Sequence, residues 1–194
     1  MQRELLKTAQ QALRAGLNRA RRRKSSSPLL IVGLAAALYI VGQYWYEPDA
    51  PLPSRGAELI CKISHVYDGD TVAVRCDQGK LKVRVYGIDA PEMGQQPWGE
   101  ISRDMLRGLA PADRVRVRVV DTDSYGRTVA QLLYEDQDLG LTLVRQGGAV
   151  VYERYNSFQS YRTAQAEARQ EQLGIWAKPG AQQKPWEWRK LNPR

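Results

Sequence analysis

The stretch that decides the fold runs from Leu59 to Ile88 and reads LICKISHVYDGDTVAVRCDQGKLKVRVYGI. Two short runs rich in β-branched residues, Leu59–Val66 and Thr71–Cys76, flank the pair Asp68-Gly69, which is a typical hairpin turn. A third run, Lys80–Ile88, alternates apolar and polar residues, which is the pattern of a half-buried strand. The stretch therefore predicts three consecutive short strands.

Two further strands are predicted downstream, at Arg114–Val120 and Thr128–Tyr134. Helical spacing is found at Gly99–Leu109, at Leu139–Gln146 and at Phe158–Leu173, and glycines follow the last two of these segments. Five short strands with a helix after the third are typical of a small closed β barrel. We therefore expect an α+β fold, a five-stranded OB-type barrel with about three helices.

The composition of the 194-residue chain excludes several kinds of site. Two cysteines and one histidine are too few for a structural zinc site, which needs about four Cys or His ligands. A Ser-His-Asp triad would have to use the single histidine, His65, which the pattern places on the first strand. Neither a structural zinc site nor such a triad is therefore expected.

The net charge of +8 is concentrated at the N-terminus. Residues 1–24 hold eight Lys or Arg against one acid, Glu4, so the rest of the chain is close to neutral. An apolar run, Leu29–Gly42, follows this arm, and after Gln43 comes the aromatic trio Tyr44-Trp45-Tyr46. With the trio as an interfacial belt, residues 28–46 are expected to form a transmembrane anchor. A cleaved signal peptide and a buried globular helix are the alternatives.

The charge asymmetry also predicts an orientation. Cations that precede a membrane span hold the N-terminus in the cytoplasm, so the domain that follows the span is expected on the far, periplasmic or extracellular side. The predicted organisation is a basic arm, the anchor, a proline-rich spacer, the barrel domain and a tail with two tryptophans, which occupy residues 1–27, 28–46, 47–57, 58–178 and 179–194.

Charged residues cluster at the predicted strand ends and turns. Taken singly, Asp68-Gly69-Asp70 and Tyr125-Gly126-Arg127 are ordinary turn sequences. Taken together, carboxylates and arginines of this kind supply what phosphodiester hydrolysis with a hard cation requires. Oxygen ligands suit Ca²⁺, arginines clamp phosphate, and a further carboxylate activates water.

Five ordered motifs resemble the thermonuclease (staphylococcal nuclease) family. They are VYDGDTV at 66–72, VRVYGIDAPE at 83–92, DSYGR at 123–127, LVRQG at 143–147 and GIW at 174–176. The resemblance covers residues 58 to about 178 and implies an OB barrel that hydrolyses DNA and RNA with Ca²⁺, leaving 3′-phosphate ends. Ala90 stands where the best-known member has threonine, a departure that leaves the backbone oxygen available as a ligand.

The resemblance also implies roles for individual residues. Asp70, Asp89 and the Ala90 carbonyl are expected to hold calcium. Arg84, Glu92 and Arg127 are expected to form the catalytic set, with Tyr125 as a phosphate-binding phenol. Asp68 resembles a carboxylate beside the ion, although it also suits a turn.

Other residues are open to two interpretations. Tyr152 and Tyr155 are candidates for stacking on a base, or ordinary tyrosines near a helix start. The alternating cations Arg114, Arg116 and Arg118 either track a phosphate backbone or form a solvated face.

Cys61 and Cys76 are candidates for a disulfide. A turn centred between Asp68 and Gly69 places them opposite each other, whereas a turn centred one residue later makes them diagonal neighbours, which suits a disulfide less well.

The sequence therefore predicts a membrane-anchored, calcium-dependent nuclease with DNA and RNA as substrates and no protein partner indicated. The alternative is a catalytically inactive nuclease-like module that docks nucleic acid or protein at the membrane.

Overall fold

The computed structural model describes residues 33–38, 49–111, 114–155 and 158–193. The chain divides into two compact units, residues 1–47 and residues 48–194. In the first unit residues 33–38 are helical, and the remainder of the predicted anchor at 28–46 lies outside the described residues. Among the helices that the structure describes, none has the length and apolar character needed to cross a bilayer.

The described residues of the second unit form eight strands and four α-helices. The strands are β1 Glu58–Val66, β2 Thr71–Cys76, β3 Gly79–Val85, β4 Ile88–Asp89, β5 Arg114–Thr122, β6 Thr128–Tyr134, β7 Gln137–Asp138 and β8 Val150–Val151. The helices are α1 Trp98–Leu109, α2 Leu139–Arg145, α3 Gln159–Gln170 and α4 Pro185–Leu191, with 3₁₀ turns at Gly174–Trp176 and Ala181–Gln183.

Five long strands close into a barrel, as the sequence predicts. The main sheet has the order β3-β2-β1-β5-β6-β7, and β3 also pairs with β6 in parallel, which joins the two sides. Alternate residues such as Val72, Val74 and Val83 are fully buried inside the barrel. The period-2 pattern of the sequence therefore identifies the core face of these strands.

The first hairpin differs in detail from the predicted Asp68-Gly69 turn. Val66 pairs with Val72, so the connection is centred on Gly69. A register shift between Ile63 and His65 then absorbs one residue and brings Cys61 directly opposite Cys76. The two cysteines form a disulfide with a Cα–Cα separation of 4.2 Å. The predicted cysteine pair is therefore present, although the register is set by a bulge and not by the turn alone.

Strand β3 ends earlier than the predicted Lys80–Ile88. It stops at Val85, because Gly87 adopts a left-handed φ of +76° and turns the chain. Ile88 and Asp89 then form the short strand β4, which pairs with β8. This turn places Asp89 beside the C-terminal end of β3.

Helices α2 and α3 are joined by a partly buried polar contact. The Asp138 carboxylate caps α2 by accepting hydrogen bonds from the backbone N–H groups of Gly140 and Leu141. It also accepts a 2.8 Å bond from the Tyr161 hydroxyl of α3, and burial together with this carboxylate raises the pKa of Tyr161. Helix α3 ends at Gln170, before the predicted Leu173, and Gln172 is left-handed with a φ of +56°.

Candidate active site

The candidate site is built at one end of β2 and β3. Asp70 comes directly before β2 and Arg84 is the sixth residue of β3, and the register places Arg84 opposite Thr71. Arg84 Nη1 therefore lies 3.0 Å from both carboxylate oxygens of Asp70. Asp70 is 5% exposed, and it also accepts hydrogen bonds from the Thr71 hydroxyl and the Ala90 N–H.

Arg84 bridges two buried carboxylates. Its Nη2 lies 3.2 Å from Asp89 Oδ1, and the Asp89 side chain is fully buried. Burial alone would lower the pKa of the Arg84 guanidinium, but the charges of Asp70 and Asp89 raise it overall. Arg84 therefore remains a full positive charge between two acids.

A further arginine, Arg189, reaches the site from helix α4. Arg189 Nη1 donates to Asp89 Oδ1 and to Glu92 Oε1, both at 2.9 Å, and its Nη2 donates to Asp89 Oδ2 at 2.8 Å. Burial raises the pKa of the Asp89 carboxyl, and the bonds from Arg189 act in the opposite direction. Two guanidinium groups thus contact the Asp89 carboxylate.

Asp68 adds a further negative charge beside Asp70. Its Oδ1 accepts a 2.9 Å bond from the Asp70 N–H, as in an Asx turn, so its turn-forming role is present. Burial and the neighbouring Asp70 charge raise the pKa of Asp68 to about 6. Glu92 contributes to the same rise, so the acids of this region interact electrostatically.

Arg127 lies on the other side of Thr71. Its Nε donates a 2.7 Å hydrogen bond to Asp123, and its Nη1 lies 3.4 Å from the Thr71 hydroxyl, which itself donates to Asp70. Burial alone would raise the pKa of Asp123, but the bonds from Arg127 lower it overall. Tyr125 is 84% exposed, with its ring centroid 5.6 Å from the Arg127 guanidinium.

The candidate stacking tyrosines form a pair beside Arg84. The ring of Tyr152 lies 6.0 Å from the Arg84 guanidinium, and the Tyr152 and Tyr155 ring centroids are 5.1 Å apart. The Tyr86 hydroxyl donates a hydrogen bond to the Tyr155 carbonyl. Tyr155 is 55% exposed, so its ring is accessible at the surface.

The donor chemistry fits a hard cation, although the carboxylates are not gathered around one point. In the described part of the chain, no three His, Cys, Asp or Glu side chains form a group suited to holding a metal ion. Asp70 and Asp89 nevertheless supply only oxygen, both are buried, and both already contact a positive group, Arg84. Oxygen donors of this kind are the ones that Ca²⁺ prefers in proteins.

The structure brings most of the sequence-predicted residues together. Arg84 contacts Asp70 and Asp89, and Arg127 joins them through Thr71. Tyr125 lies farther out, on the exposed turn beside Arg127.

Arg189 is the residue that sequence reasoning misses. It belongs to the tail Pro185-Trp-Glu-Trp-Arg-Lys190, which the sequence marks only by its two tryptophans. Such a pair near a terminus predicts packing against the domain, and the structure shows where that packing places the arginine.

Comparison with known proteins agrees with this architecture. The family model described as staphylococcal nuclease homologue matches residues 82–178. An Escherichia coli O157:H7 protein described as an uncharacterized endonuclease is 35% identical over 134 residues, covering 69% of this chain and 86% of the relative. A Shigella flexneri micrococcal nuclease is 36% identical over 148 residues, covering 70% and 83%. Escherichia coli protein ParB is 31% identical over 181 residues, covering 87% and 94%.

The matched segment begins within β3 and contains β4, β5 and β6, together with Arg84, Asp89, Glu92 and Arg127. The closed five-stranded barrel, the family model and the relatives of similar length all lead to the same assignment. The chain belongs to the staphylococcal nuclease family.

Proposed function

We propose that the protein is a calcium-dependent nuclease that hydrolyses phosphodiester bonds of DNA and RNA and leaves 3′-phosphate ends. The observation that carries the proposal is Arg84 held between buried Asp70 and Asp89, with Arg127 reached through Thr71. Guanidinium groups bind phosphate oxygens through paired, charge-assisted hydrogen bonds. Two of them beside buried carboxylates suit a substrate that gains negative charge during the reaction.

The proposed roles follow from the contacts. Arg84 and Arg127 bind the non-bridging oxygens of the scissile phosphate and stabilise the charge that develops on them. Glu92, the more accessible carboxylate of the group, accepts a proton from the attacking water. Asp70, Asp89 and the Ala90 carbonyl would hold Ca²⁺, which supplies Lewis-acid polarisation of the phosphate when bound.

The tyrosines supply the contacts that flank the cleaved bond. Tyr125 lies beside Arg127, where its hydroxyl suits a phosphate oxygen. Tyr152 and Tyr155, paired near Arg84, suit stacking on a base. Stacking tolerates every base, so we expect little sequence preference.

The test is cleavage of DNA and of RNA by the purified protein with calcium and with excess EDTA. We expect both substrates to be cut with calcium and neither with EDTA. Zinc is not expected to substitute, because both cysteines are in the disulfide and His65 contacts Tyr67. A 3′-phosphate product should resist polymerase extension until it is treated with phosphatase. Full activity in EDTA, or products that extend directly, would contradict the proposal.

The alternative function is a nuclease-like docking module that binds nucleic acid or protein without cutting. The presence of the whole charged set, Asp70, Arg84, Asp89, Glu92 and Arg127, favours catalysis. The same experiment separates the two functions, since a docking module would bind the labelled nucleic acid and leave it intact at every calcium concentration.

We further propose that residues 28–46 anchor the protein in a membrane, with the basic arm in the cytoplasm and the barrel on the far side. The apolar run, the aromatic trio and the eight cations of the arm support this arrangement. A nuclease held outside the cytoplasm is separated from the nucleic acid of its own cell.

A further inference from the structure

The C-terminal segment, residues 181–191, contacts Glu92 or its backbone partner at two points. The guanidinium of Arg189 contacts the Glu92 carboxylate, as described above. The Gln95 side chain provides the second connection, since its Oε1 accepts a 2.8 Å bond from the Glu92 N–H while its Nε2 donates to the Ala181 carbonyl at 2.9 Å. Gln95 is 4% exposed. The C-terminal segment is therefore packed against the loop that carries Glu92.

One nitrogen of Arg189 bridges two carboxylates of the candidate site. Nη1 contacts both Asp89 and Glu92, while Nη2 completes a bidentate pair with Asp89. Asp89 is fully buried, so its position is fixed. The bridge consequently fixes where Glu92, on its flexible side chain, lies relative to Asp89.

We propose that Arg189 is a positioning residue that orients Glu92 for the reaction, an inference that rests on the proposed nuclease function. Its planar guanidinium hydrogen-bonds to the Asp89 and Glu92 carboxylates at the same time. The ammonium group of a lysine cannot reproduce this geometry. Displacing a reacting group by about 1 Å costs on the order of 100-fold in rate.

The variants Arg189→Gln and Arg189→Lys test this role, with Lys190→Gln on the same helix as the matched control. We expect both Arg189 variants to lower kcat about 10- to 100-fold with little change in KM and in melting temperature. Lysine should fail to rescue, because charge without the fork does not hold two carboxylates. The control should match the wild type.

Calcium affinity, measured by calorimetry, gives a second readout that does not depend on turnover. A positioning role predicts that Arg189→Gln binds calcium within about threefold of the wild type. If Arg189→Gln bound calcium more tightly and kept the wild-type kcat, Arg189 would only compete with calcium for the carboxylates. If Arg189→Lys kept full activity, a positive charge alone would suffice. Either result overturns the inference. Absence of cleavage by the wild type would instead refute the proposed function.

A different part of the barrel surface carries a second inference, whose choice of ligand also rests on the proposed nuclease function. Four cations lie directly opposite one another on four adjacent strands, a set that we call the basic row. In the order β3, β2, β1 and β5 they are Lys80, Arg75, Lys62 and Arg114. Adjacent strands are about 4.8 Å apart, so the row crosses about 14 Å of the outer face.

The basic row continues toward the candidate site along β3. Lys82 follows Lys80 on the same face, with its ammonium 4.7 Å from the Tyr67 ring centroid, and Arg84 comes next. Tyr67 is 43% exposed. At one end of the row the Asp77 carboxylate lies 3.7 Å from Arg114, and at the other end the backbone of Asp49 pairs with that of Lys80 in a β-bridge.

Like charges directly opposite each other in a sheet destabilise the fold. A polyanion relieves that repulsion, and a nucleic-acid strand is the polyanion that the neighbouring site would cleave. We infer that the basic row binds the phosphate backbone of a single strand that extends from the site, with Tyr67 placed to stack on a base.

The test is binding of fluorescent oligothymidylates of 20 and 4 nucleotides in EDTA, measured by anisotropy at several salt concentrations. Lys62→Gln/Arg75→Gln should lower the salt slope for the 20-mer by roughly 0.7 for each phosphate that the variant no longer neutralises. Binding of the 4-mer, which occupies only the site, should not change.

The matched control is Arg107→Gln/Arg145→Gln, which removes the same charge from exposed helix positions. An equal fall in slope for both double variants would show a general charge effect and overturn the inference. The inference would also be overturned if Lys62→Gln/Arg75→Gln lowered the affinity for the 20-mer and for the 4-mer equally. Because the assay contains no calcium and needs no cleavage, its outcome is separate from that of the nuclease proposal.

Discussion

The backbones of Gly147 and Gly174 cross in direct contact. The Gly147 carbonyl accepts a 2.8 Å hydrogen bond from the Ile175 N–H, and both glycines have left-handed φ values, +72° and +51°. A Cβ on Gly147 would overlap the Leu173 carbonyl, and a Cβ on Gly174 would overlap that of Gly147. This crossing explains why the motifs LVRQG and GIW occur together, since each supplies one side of the contact.

Replacing either glycine by alanine should therefore destabilise the domain strongly. A left-handed alanine costs about 1–2 kcal/mol, and the overlap with backbone atoms adds about 1–3 kcal/mol. Denaturant unfolding of Gly147→Ala and Gly174→Ala measures the decrease in stability. Gly108→Ala is the control: Gly108 lies in α1 with open space around its Cβ position, so alanine should leave stability unchanged or raise it by up to about 1 kcal/mol. Wild-type stability in either test variant would contradict the geometry.

The disulfide should stabilise the barrel through the loop it closes. Cys61 and Cys76 are 15 residues apart in sequence, for which the loss of unfolded-chain entropy corresponds to about 3 kcal/mol. Unfolding with and without a reductant should show a difference of this size. The double variant Cys61→Ala/Cys76→Ala should be insensitive to the reductant. Finding both thiols free by mass spectrometry of the unreduced, alkylated protein would eliminate the bridge.

The local pattern of the sequence predicts those parts of the fold that depend on neighbouring residues. Alternation predicts the core-facing valines of β2 and β3 because a strand exposes one side to the core. The bulge at Ser64 does not follow from any local pattern, since it compensates for the length of the turn at Gly69. The sequence therefore predicts two possible registers, with Cys61 and Cys76 either directly opposite or diagonal, and cannot choose between them.

Contacts between distant segments are harder to foresee. Arg189 lies 100 residues from Asp89 and 97 from Glu92 along the chain, and no periodicity relates them. The sequence does predict the site residues Asp70, Arg84 and Asp89, because they lie within the motifs that resemble the family. The ion-pair geometry among these residues becomes visible only in the folded chain.

Arg127→Ala should reduce cleavage about 10²- to 10³-fold, the usual cost of removing one group that stabilises developing charge. Its ion pair with Asp123 is only partly buried, so folding should survive. Arg84→Ala is less informative, because it would leave Asp70 and Asp89 without their shared cation and destabilise the barrel. Arg118→Ala, an exposed cation paired with Glu58, is the control and should retain full activity. A purified, folded Arg127→Ala protein that cuts as fast as the wild type would refute the assigned role.

Removing the N-terminal segment should leave catalysis intact. A chain that begins at Pro48 keeps the whole second unit, including the Ala50 N–H that donates a 2.7 Å bond to the Lys80 carbonyl. Beginning after Pro51 would remove this bond, so the two truncations should differ slightly in melting temperature. We expect the Pro48 form to match the full chain in kcat/KM on DNA, because every proposed catalytic residue lies downstream. A folded truncation without cleavage would show that the basic arm contributes to substrate binding.

The proposed orientation predicts the result of a reporter fusion. Alkaline phosphatase joined after Arg194 folds actively only outside the bacterial cytoplasm, and the eight cations of residues 1–24 should hold the N-terminus inside. We therefore expect an active fusion, whereas the same fusion lacking residues 28–46 should be inactive. Fractionation of the active fusion with membranes would distinguish an anchor from a cleaved signal, whose product would be released. An inactive full-length fusion would reverse the orientation and place the nuclease in contact with the nucleic acid of its own cell.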